Sequence, residues 1–310
     1  MIFQPVLDFL SDFSSTEVSL NSYQSVHGGC VSDAYILDTN IGRYFVKVIV
    51  KVIAKAQSKV GGDNSNSILD AEREGLMALS SVGVLKVPKI MGAVTTNERE
   101  FLILEGLELT ALNAIQQGQF GTLLAKHHKQ SISTQFGWSE NNFIGKNIQT
   151  NIWSSSWVSF FVEYRLGTQL TLLKQKGLDR NLIAVVTELM GYVPDYFLSF
   201  QPTPVLVHGD LWNGNVACVN ETEHGCVPVC YDPAVYYGDR EVDVAMTELF
   251  GGFSKQFYKA YSEQWPLDEG YAQRKNLYNL YHLLNHVNLF GPGYIAQANQ
   301  TAISLLAQVR

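Results

Sequence analysis

Hydrophobic positions in the first hundred residues follow first a helical and then an extended pattern. Residues 35–37 and 43–50 are rich in β-branched and aromatic side chains, and they predict a hairpin through the turn at 38–42. Helical spacing returns at 69–79, and the apolar run 101–104 predicts a central strand. Before these elements, an amphipathic helix is predicted by apolar residues at helical spacing: Ile2, Phe3, Val6, Leu7, Leu10 and Phe13.

From residue 111 onward the apolar spacing is mainly helical. The clearest helices are predicted at 182–198 and 277–290, and two short apolar strands, 205–207 and 227–231, lie between them. Each of these strands runs into an acidic residue. A strand-rich segment followed by a larger helical one predicts an α+β fold with two lobes, 1–105 and 106–310.

The composition limits the classes of partner and the location. Of the 310 residues, 46% are hydrophobic and only 16% are charged, which favours a large core over intrinsic disorder. The formal net charge of −7 gives no support to a protein that binds the nucleic acid backbone. The apolar stretches are too short for a membrane span, and the first residues lack the basic region of a secretory signal. Four cysteines are too few for a disulfide scaffold, so a cytoplasmic location is expected.

Residues 205–215, which read Val-Leu-Val-His-Gly-Asp-Leu-Trp-Asn-Gly-Asn, carry the strongest chemical signal. They place Asp210 in a loop after a strand and Asn215 five residues later. Phosphoryl transfer of the kinase type needs a carboxylate that orients and deprotonates the attacking hydroxyl, and an amide oxygen that binds a metal ion. His-Gly-Asp tripeptides also occur in ordinary turns, so this segment alone leaves a structural role open.

A second acidic residue strengthens the interpretation. The strand at 227–231 leads directly into Asp232, the position at which kinase-like enzymes hold the carboxylate that chelates nucleotide-bound Mg²⁺. Mg²⁺ prefers oxygen ligands. The two acids and the amide therefore predict a magnesium site, with Asn215 and Asp232 as ligands, in a phosphotransferase that uses ATP.

The N-terminal lobe offers candidates for a nucleotide cradle. Gly28 and Gly29 precede a predicted hairpin, and paired glycines let backbone N–H groups approach phosphates closely. Lys47 ends an apolar run and Glu72 lies on the following helix, the arrangement by which kinases hold ATP phosphates. Lys47 could instead be a solvated charge on a strand face. Competing candidates for its role are Lys51 and Lys55.

Together these motifs resemble the fructosamine kinase, or ketosamine-3-kinase, family, a branch of the protein-kinase-like fold related to aminoglycoside phosphotransferases and choline kinases. The similarity runs nearly end to end. The Trp within HGDLWNGN and the long DPAVYYGDRE run distinguish this family from its relatives. The similarity rests on 208–215 (HGDLWNGN), on 232–243 (DPAVYYGDREVD), on 149–153 (QTNIW) with Trp157, Phe160 and Phe161, and on 277–290 (LYNLYHLLNHVNLF).

The resemblance implies a bilobal protein-kinase-like fold and ATP-dependent phosphorylation of a ketosamine at the third carbon of the sugar. In that family the phosphorylated adduct breaks down and frees the amine, so the activity repairs glycated amines or proteins. The roles that it implies are base for Asp210, Mg²⁺ ligands for Asn215 and Asp232, phosphate positioning for Lys47 and Glu72, and the end of the strand that leads to the adenine hinge for Glu105.

Substrate recognition is expected near the catalytic loop. Trp212, two residues after Asp210, is expected either to cover a sugar face with its indole or to wedge the loop as a core aromatic residue. Through the resemblance, Gln149 and Trp153 are also assigned to the substrate site. The expected partners are small ketosamines or glycated proteins. The alternatives are another small-molecule kinase of the same fold, acting on an aminoglycoside, choline or homoserine, and a catalytically inactive nucleotide-binding module.

Several other polar residues have structural interpretations. His282 and His286, four residues apart, are predicted to be core or pocket-lining histidines rather than metal ligands. A buried support network near the catalytic loop is predicted for Asp239, Arg240, Glu241 and Asp243.

Cys30 follows the glycine pair, in the loop expected to cover the ATP phosphates. Exposure and a stabilised thiolate would favour its oxidation. The chain is therefore expected to be a monomer or a homodimer linked by redox chemistry at Cys30. The other three cysteines lie on or beside an apolar hairpin, where we expect them to be shielded.

Overall fold

The computed structural model describes residues 2–26, 32–51, 67–221 and 225–310. Of the residues singled out above, Gly28, Gly29, Cys30 and Lys55 lie outside the described residues, so the expectations for them stay predictions. Among the described residues, no helix has both the length and the hydrophobicity that crossing a bilayer requires.

An antiparallel sheet forms most of the first third of the chain, and its neighbouring strands follow the spatial order β1-β2-β3-β5-β4. One helix precedes this sheet and a second connects β3 to β4. The elements in chain order are α1 (Gln4–Ser14), β1 (Leu20–Val26), β2 (Asp33–Thr39), β3 (Gly42–Val50), α2 (Ile68–Ser81), β4 (Ile90–Thr95) and β5 (Arg99–Glu105).

Strand alternation in β3 decides which side chains meet which helix. Successive side chains point to opposite faces of a sheet. Val46 and Val48 pack in a cluster with α1, whereas Phe45 and Ile49 pack with α2 on the other face. Lys47 therefore shares the face that α2 covers.

The remainder of the chain is mainly helical, with short strands inserted. Its helices are α3 (Ala114–Gln130), α4 (Trp157–Phe160), a π-helical turn (Phe161–Gly167), α5 (Thr168–Gln175), α6 (Arg180–Met190), α7 (Glu241–Leu249), α8 (Lys255–Gln264), α9 (Tyr271–Phe290) and α10 (Ile295–Val309). Its strands are β6 (Leu109–Thr110), β7 (Asn142–Ile144), β8 (Asn147–Gln149), β9 (Pro204–Val207), β10 (Val216–Glu221), β11 (Gly225–Cys230) and β12 (Tyr236–Asp239).

Helix α9 is the centre of this part of the chain, since buried residues occur on all its sides between Leu277 and Leu284. It packs against α7 and α10. His282 is buried there, and burial lowers its pKa to about 3. Its burial agrees with the interpretation of His282 as a core histidine.

Most elements predicted from the hydrophobic pattern are present, and two differences have clear causes. The helix predicted at 182–198 ends at Met190, because Pro194 begins a separate 3₁₀ turn, Val193–Phe197. Strand β1 was not predicted because five of its seven residues are exposed and polar or aromatic, so it lacks an alternating pattern.

The hairpin of β10 and β11 brings two of the cysteines together. Cys218 and Cys226 lie diagonally across it with Cα atoms 5.7 Å apart, a separation that allows a disulfide between them. The sequence analysis expected shielded thiols at both positions. Cys230 is a free and buried thiol, as predicted.

The predicted support network is buried, and a close ion pair lies within it. Arg274 on α9 donates from Nε and Nη2 to the two carboxylate oxygens of Glu241, at 2.9 and 3.0 Å. Both side chains are almost completely buried. Arg274 also contacts Asp268 at 2.7 Å. Such a pair tolerates the loss of one partner poorly, because the other charge stays buried without compensation.

We predict that Arg274→Met lowers the free energy of unfolding by about 3–5 kcal/mol, because Glu241 then loses its buried partner. Chemical denaturation measures the change. The control is Lys259→Met, which breaks an exposed ion pair with Glu263 and should cost less than about 1 kcal/mol. Equal losses in the two variants would contradict the assignment of the Arg274 pair as a buried structural anchor.

Candidate active site

Two loops meet where four short strands end. One loop joins β9 to β10 and carries Asp210, and the other joins β11 to β12 and carries Asp232. Strand β9 pairs with β12, and β10 pairs with β11, both in antiparallel fashion. Because each loop begins on one pair and ends on the other, the pairing forces the two loops to lie side by side.

The buried carboxylate of Asp243 fixes the first loop. Its Oδ2 accepts from the backbone N–H of His208 at 2.8 Å, and its Oδ1 accepts from that of Gly209 at 2.9 Å. Burial alone would raise the pKa of Asp243, but hydrogen bonds from His128 and from the Gly209 N–H outweigh it and lower the pKa. Asp243 therefore stays ionised and holds the backbone just before Asp210.

A chain of side-chain hydrogen bonds orients the partner of Asp243. Arg240 can only donate, so the Tyr261 hydroxyl accepts its Nη1–H at 3.1 Å and has its own proton free for His128 Nδ1 at 2.9 Å. This leaves the Nε2–H of His128 to donate to Asp243 at 3.2 Å. The sequence-based prediction of a support role for Arg240 and Asp243 is confirmed by these contacts.

Backbone hydrogen bonds join the two loops to each other. The Ala234 N–H donates to the His208 carbonyl at 2.8 Å, and the Tyr231 N–H donates to the Asn215 carbonyl at 3.1 Å. His208 Nε2 also contacts the Tyr231 carbonyl at 3.0 Å. The spacing between Asp210 and Asp232 is thus set by several contacts.

Lys47 links the N-terminal sheet to the second loop. Its Nζ lies 2.8 Å from Glu72 Oε2 and 2.6 Å from Asp232 Oδ1. Burial opposes the charged form of Lys47, but the carboxylates of Glu72 and Asp232 outweigh it and raise the pKa. The Lys47–Glu72 pairing expected from the sequence is present, whereas Lys51 lies 3.8 Å from Glu100 on the sheet.

Asp210 lies in a setting suited to proton transfer near neutral pH. Burial raises its pKa to about 7, with a further contribution from the charge of Asp232, while a hydrogen bond from Asn215 opposes the shift. Asn215 donates its Nδ2–H to the Asp210 carbonyl at 2.9 Å, which leaves its amide oxygen as an acceptor. A base with a pKa near the working pH is the most effective one.

A cavity of about 370 Å³ is lined by two groups of side chains that differ in chemistry. Lys47, Glu72, Asp210, Asn215 and Asp232 form the first group, which we call the charged end, and hydrogen bonds connect Lys47 to Glu72 and Asp232, and Asn215 to Asp210. Ring contacts connect the second group, which we call the aromatic end and which consists of Trp212, Phe250, His286, Phe290 and Tyr294.

Trp212 lies in the loop that carries Asp210, and its ring contacts the aromatic set. Its indole covers Gly214, where an added Cβ would come within 2.3 Å of the ring, and its ring centroid is 6.5 Å from that of Phe250. The side chain is 38% exposed and lines the cavity. This placement favours the substrate-platform interpretation over a core wedge.

Three residues assigned to the site from the sequence do not line the cavity. Gln149 is buried, and its amide is used in hydrogen bonds to Asn142, Ala234 and Tyr281. Trp153 stacks on Tyr237, with centroids 6.0 Å apart. Glu105 accepts a hydrogen bond from the Lys89 N–H at 2.7 Å. The side chains of Gln149 and Trp153 pack or bond elsewhere in this structure, and their assignment to the substrate site stays a prediction.

The sequence analysis missed Asn142, Phe143, Phe250 and Tyr294, which also line the cavity. They lie on β7, after α7 and next to α10, far from the catalytic motifs in sequence. Two members of the aromatic set carried a signal in the sequence: Trp212 as a candidate substrate platform and His286 as a possible pocket-lining residue. The ring of His286 lies 4.7 Å from that of Phe250 and 5.0 Å from that of Tyr294.

The charged end suits a magnesium ion. The atoms available there as metal ligands are the side-chain oxygens of Asp232 and Asn215. Mg²⁺ is commonly bound by one or two carboxylates together with substrate phosphates and water. Within the described ranges, no cluster of three or more His, Cys, Asp or Glu side chains suited to a metal ion occurs.

Comparisons with known proteins identify the family. The family model described as Fructosamine kinase matches residues 2–308. The protein named Probable ketoamine kinase of Vibrio parahaemolyticus is 37% identical, covering 99% of this chain and 100% of the relative. The ketosamine-3-kinase of Mus musculus is 32% identical, covering 86% of this chain and 89% of the relative. The chain belongs to the fructosamine kinase family.

Solved structures agree with this membership. A crystal structure from Haemophilus somnus that carries the fructosamine-3-kinase name superposes with a TM-score of 0.85 at 26% identity, covering 98% of this chain and 97% of that one. Aminoglycoside phosphotransferase APH(4)-Ia, at 16% identity and a TM-score of 0.63, covers 99% of both chains and shares the fold. The protein-kinase-like α+β fold predicted from the motifs is confirmed.

We predict that position 209 tolerates no residue larger than glycine. It has a φ of 81°, and an added Cβ would lie 2.0 Å from the Ala234 carbonyl oxygen. Gly209→Ala should lower kcat by about 100-fold or more, because it pushes the Asp210 loop away from the Asp232 loop.

The control for this variant is Gly177→Ala, at a φ of 63° with no atom within 4 Å of the added Cβ. It carries the same kind of backbone strain, about 1–3 kcal/mol, and should keep kcat within about twofold. Steady-state kinetics and thermal denaturation of both variants test the prediction, and a similar loss of kcat in both would contradict it.

Proposed function

We propose that this protein is an ATP- and Mg²⁺-dependent ketosamine 3-kinase, which phosphorylates the sugar of a glycated amine. The observation that carries the proposal is that Asp210, Asn215, Asp232 and Lys47 line one cavity together with Trp212. The nucleotide would lie between the lobe of residues 1–105 and the lobe of residues 106–310.

In this proposal Asp210 accepts the proton of the acceptor hydroxyl. The hydroxyl oxygen then forms a bond to the γ-phosphorus of ATP, the bond between that phosphorus and the bridging oxygen breaks, and ADP leaves with the electron pair. The pKa of Asp210, raised to about 7 by burial, keeps the carboxylate basic enough for this step at neutral pH.

Lys47, Asn215 and Asp232 act on the phosphates. Lys47 would hold them by charge, while Glu72, 2.8 Å away, fixes the position of its ammonium group. Asn215 and Asp232 would hold the Mg²⁺ that accompanies the nucleotide. A bound Mg²⁺ supplies neutralisation of the negative charge that develops on the phosphates during transfer.

The aromatic end of the cavity is the proposed place for the glycated amine. An indole such as that of Trp212 can cover the apolar face of a sugar or contact a cationic amine. Among the described residues that line the cavity, the acidic ones are Glu72, Asp210 and Asp232, all at the charged end. The aromatic end therefore lacks the carboxylates that a polycationic aminoglycoside would require, and the names of the relatives favour a ketosamine.

The substrates, the fate of the product, the location and the oligomeric state are proposals too. Small ketosamines and glycated proteins are both proposed as substrates, and breakdown of the phosphorylated product would release the free amine. A cytoplasmic location and a monomer, or a homodimer linked through Cys30, are likewise proposed on the sequence arguments above.

A coupled ADP-release assay tests the activity. Purified protein is supplied with Mg·ATP and, separately, with fructosyl, ribulosyl and erythrulosyl amines, an aminoglycoside and choline. Turnover that is at least tenfold faster with a ketosamine than with the aminoglycoside or choline is expected. ADP release that depends only on an aminoglycoside or on choline would overturn the proposed substrate class.

Asp210→Asn should lower kcat by about 10²–10⁴-fold, the usual contribution of a general base, and should leave ADP affinity within about twofold of wild type. Asp195→Asn, an exposed position outside the cavity, is the control and should match wild type. Near-normal kcat in Asp210→Asn would show that another group accepts the proton.

Trp212→Ala should raise KM for the ketosamine by about 5- to 30-fold, the effect of losing about 1–2 kcal/mol of aromatic contact, and should change KM for ATP less. Trp153→Ala is a matched control, because Trp153 is similarly exposed, at 42%, but lies outside the cavity. Equal increases of both KM values in Trp212→Ala would indicate a packing role, and equal effects of the two variants on the ketosamine would contradict the platform.

A further inference from the structure

The amides of Gln149 and Asn142 are buried beneath the loop that carries Asp232. They lie opposite each other on β8 and β7. Their side chains are 1% and 5% exposed. Burying amide groups is costly unless every donor and acceptor has a partner, so the partners indicate what these residues stabilise.

Gln149 uses both of its donors and its acceptor. Its Nε2 donates to the Ala234 carbonyl at 3.0 Å and to Asn142 Oδ1 at 2.8 Å. Its Oε1 accepts from the Tyr281 hydroxyl on α9 at 2.8 Å. This saturation fixes the direction of the amide, with the N–H₂ group turned towards Ala234.

Asn142 holds the next residue of the same loop. Its Nδ2 donates to the Val235 carbonyl at 2.7 Å, and its Oδ1 accepts from Gln149 and from Asn151. The two amides thus hold the consecutive carbonyls of Ala234 and Val235. We call this pair, Gln149 and Asn142, the amide clamp.

Ala234 is the junction between the two loops of the site. Its N–H donates to the His208 carbonyl, and its carbonyl oxygen lies so close to Gly209 that an added Cβ there would come within 2.0 Å. Asp232, two residues earlier, has a φ of 56°, which is an unfavourable backbone conformation for a residue other than glycine. A strained residue persists only where its surroundings hold it.

We propose that the amide clamp is the positioning device for Asp232: Gln149 and Asn142 fix the Ala234–Val235 backbone and thereby hold the Asp232 carboxylate where it can ligate nucleotide-bound Mg²⁺. Gln149 does not line the cavity, whereas Asn142 does, and in this assignment both act on Asp232 through the loop. The inference rests on the proposed role of Asp232 in the site.

The test compares ADP affinity in Mg²⁺ with ADP affinity in EDTA, by isothermal titration calorimetry, for wild type and Gln149→Met. The substitution keeps the length of the side chain and removes all three hydrogen bonds. ADP affinity in EDTA should stay within about twofold of wild type. The gain in affinity from Mg²⁺ should fall about tenfold, because of the three bonds only the one to the Ala234 carbonyl acts directly on the loop, and about tenfold is the effect expected for one lost buried hydrogen bond.

Two control variants separate positioning from loss of stability. Gln169→Met removes another buried amide, which bonds to Asn288 on α9 at 2.8 Å. Tyr281→Phe removes one bond to Gln149 and leaves the donations to Ala234 and Asn142 in place. Both controls should keep the Mg²⁺-dependent gain within about twofold of wild type.

Retention of the full Mg²⁺-dependent gain in Gln149→Met would overturn the proposal, as would an equal loss in Gln169→Met. If Gln149→Met does not fold, Asn142→Ala tests the same clamp, and failure of both to fold would show that the amides serve folding rather than the position of Asp232. Failure of the ketosamine kinase activity would appear separately, in the ADP-release assay of wild type, because this comparison needs no acceptor.

Discussion

The geometry of the active site depends on the hydrogen bonds that the Asp243 carboxylate accepts. This carboxylate is buried, ionised and bonded to the backbone N–H groups of His208 and Gly209. A buried charge is stable only when it is fully hydrogen-bonded, and His128 supplies the remaining donor. The shape of the Asp210 loop therefore follows from the packing of α3, α7 and α8, which bring His128, Asp243 and Tyr261 together.

Successive contacts starting from Asp243 fix the other parts of the site. The Asp210 loop holds the Asp232 loop through the bond from the Ala234 N–H to His208, and Asp232 contacts Lys47 on the N-terminal sheet. Because side chains alternate along β3, Lys47 lies on the face that α2 covers, and there it contacts Glu72. A single continuous set of polar contacts thus joins the sheet to the helical part of the chain, and the cavity lies along it.

Much of this could be read from the sequence, where the chemistry is local. Asp210, Asn215 and Asp232 were predicted to lie at the ends of short apolar strands, and they do lie in the loops that begin or end there. Lys47 was identified because it ends an apolar run, and Glu72 because a helix follows. In each case the signal is a period or a spacing within one segment.

The rest depends on contacts between distant segments, which leave no local pattern. Gln149 was assigned to the substrate because of the family motif around it, yet its partners Ala234 and Tyr281 lie 85 and 132 residues away. The aromatic end of the cavity combines residues from the Asp210 loop, the end of α7, α9 and the turn before α10, and no spacing in the sequence links these elements. The broken helix at Pro194 could have been predicted, since proline cannot continue a helix.

The proposed phosphoryl transfer is tested most directly by following the phosphate itself. Phosphorus NMR of a reaction that contains the protein, Mg·ATP and a fructosyl amine distinguishes transfer to a sugar from hydrolysis of ATP. The account predicts a new sugar phosphate signal that grows as the ATP signals decline, coupled to the proton on the third carbon of the sugar. Accumulation of inorganic phosphate alone from the outset, with no sugar phosphate at any time, would contradict it.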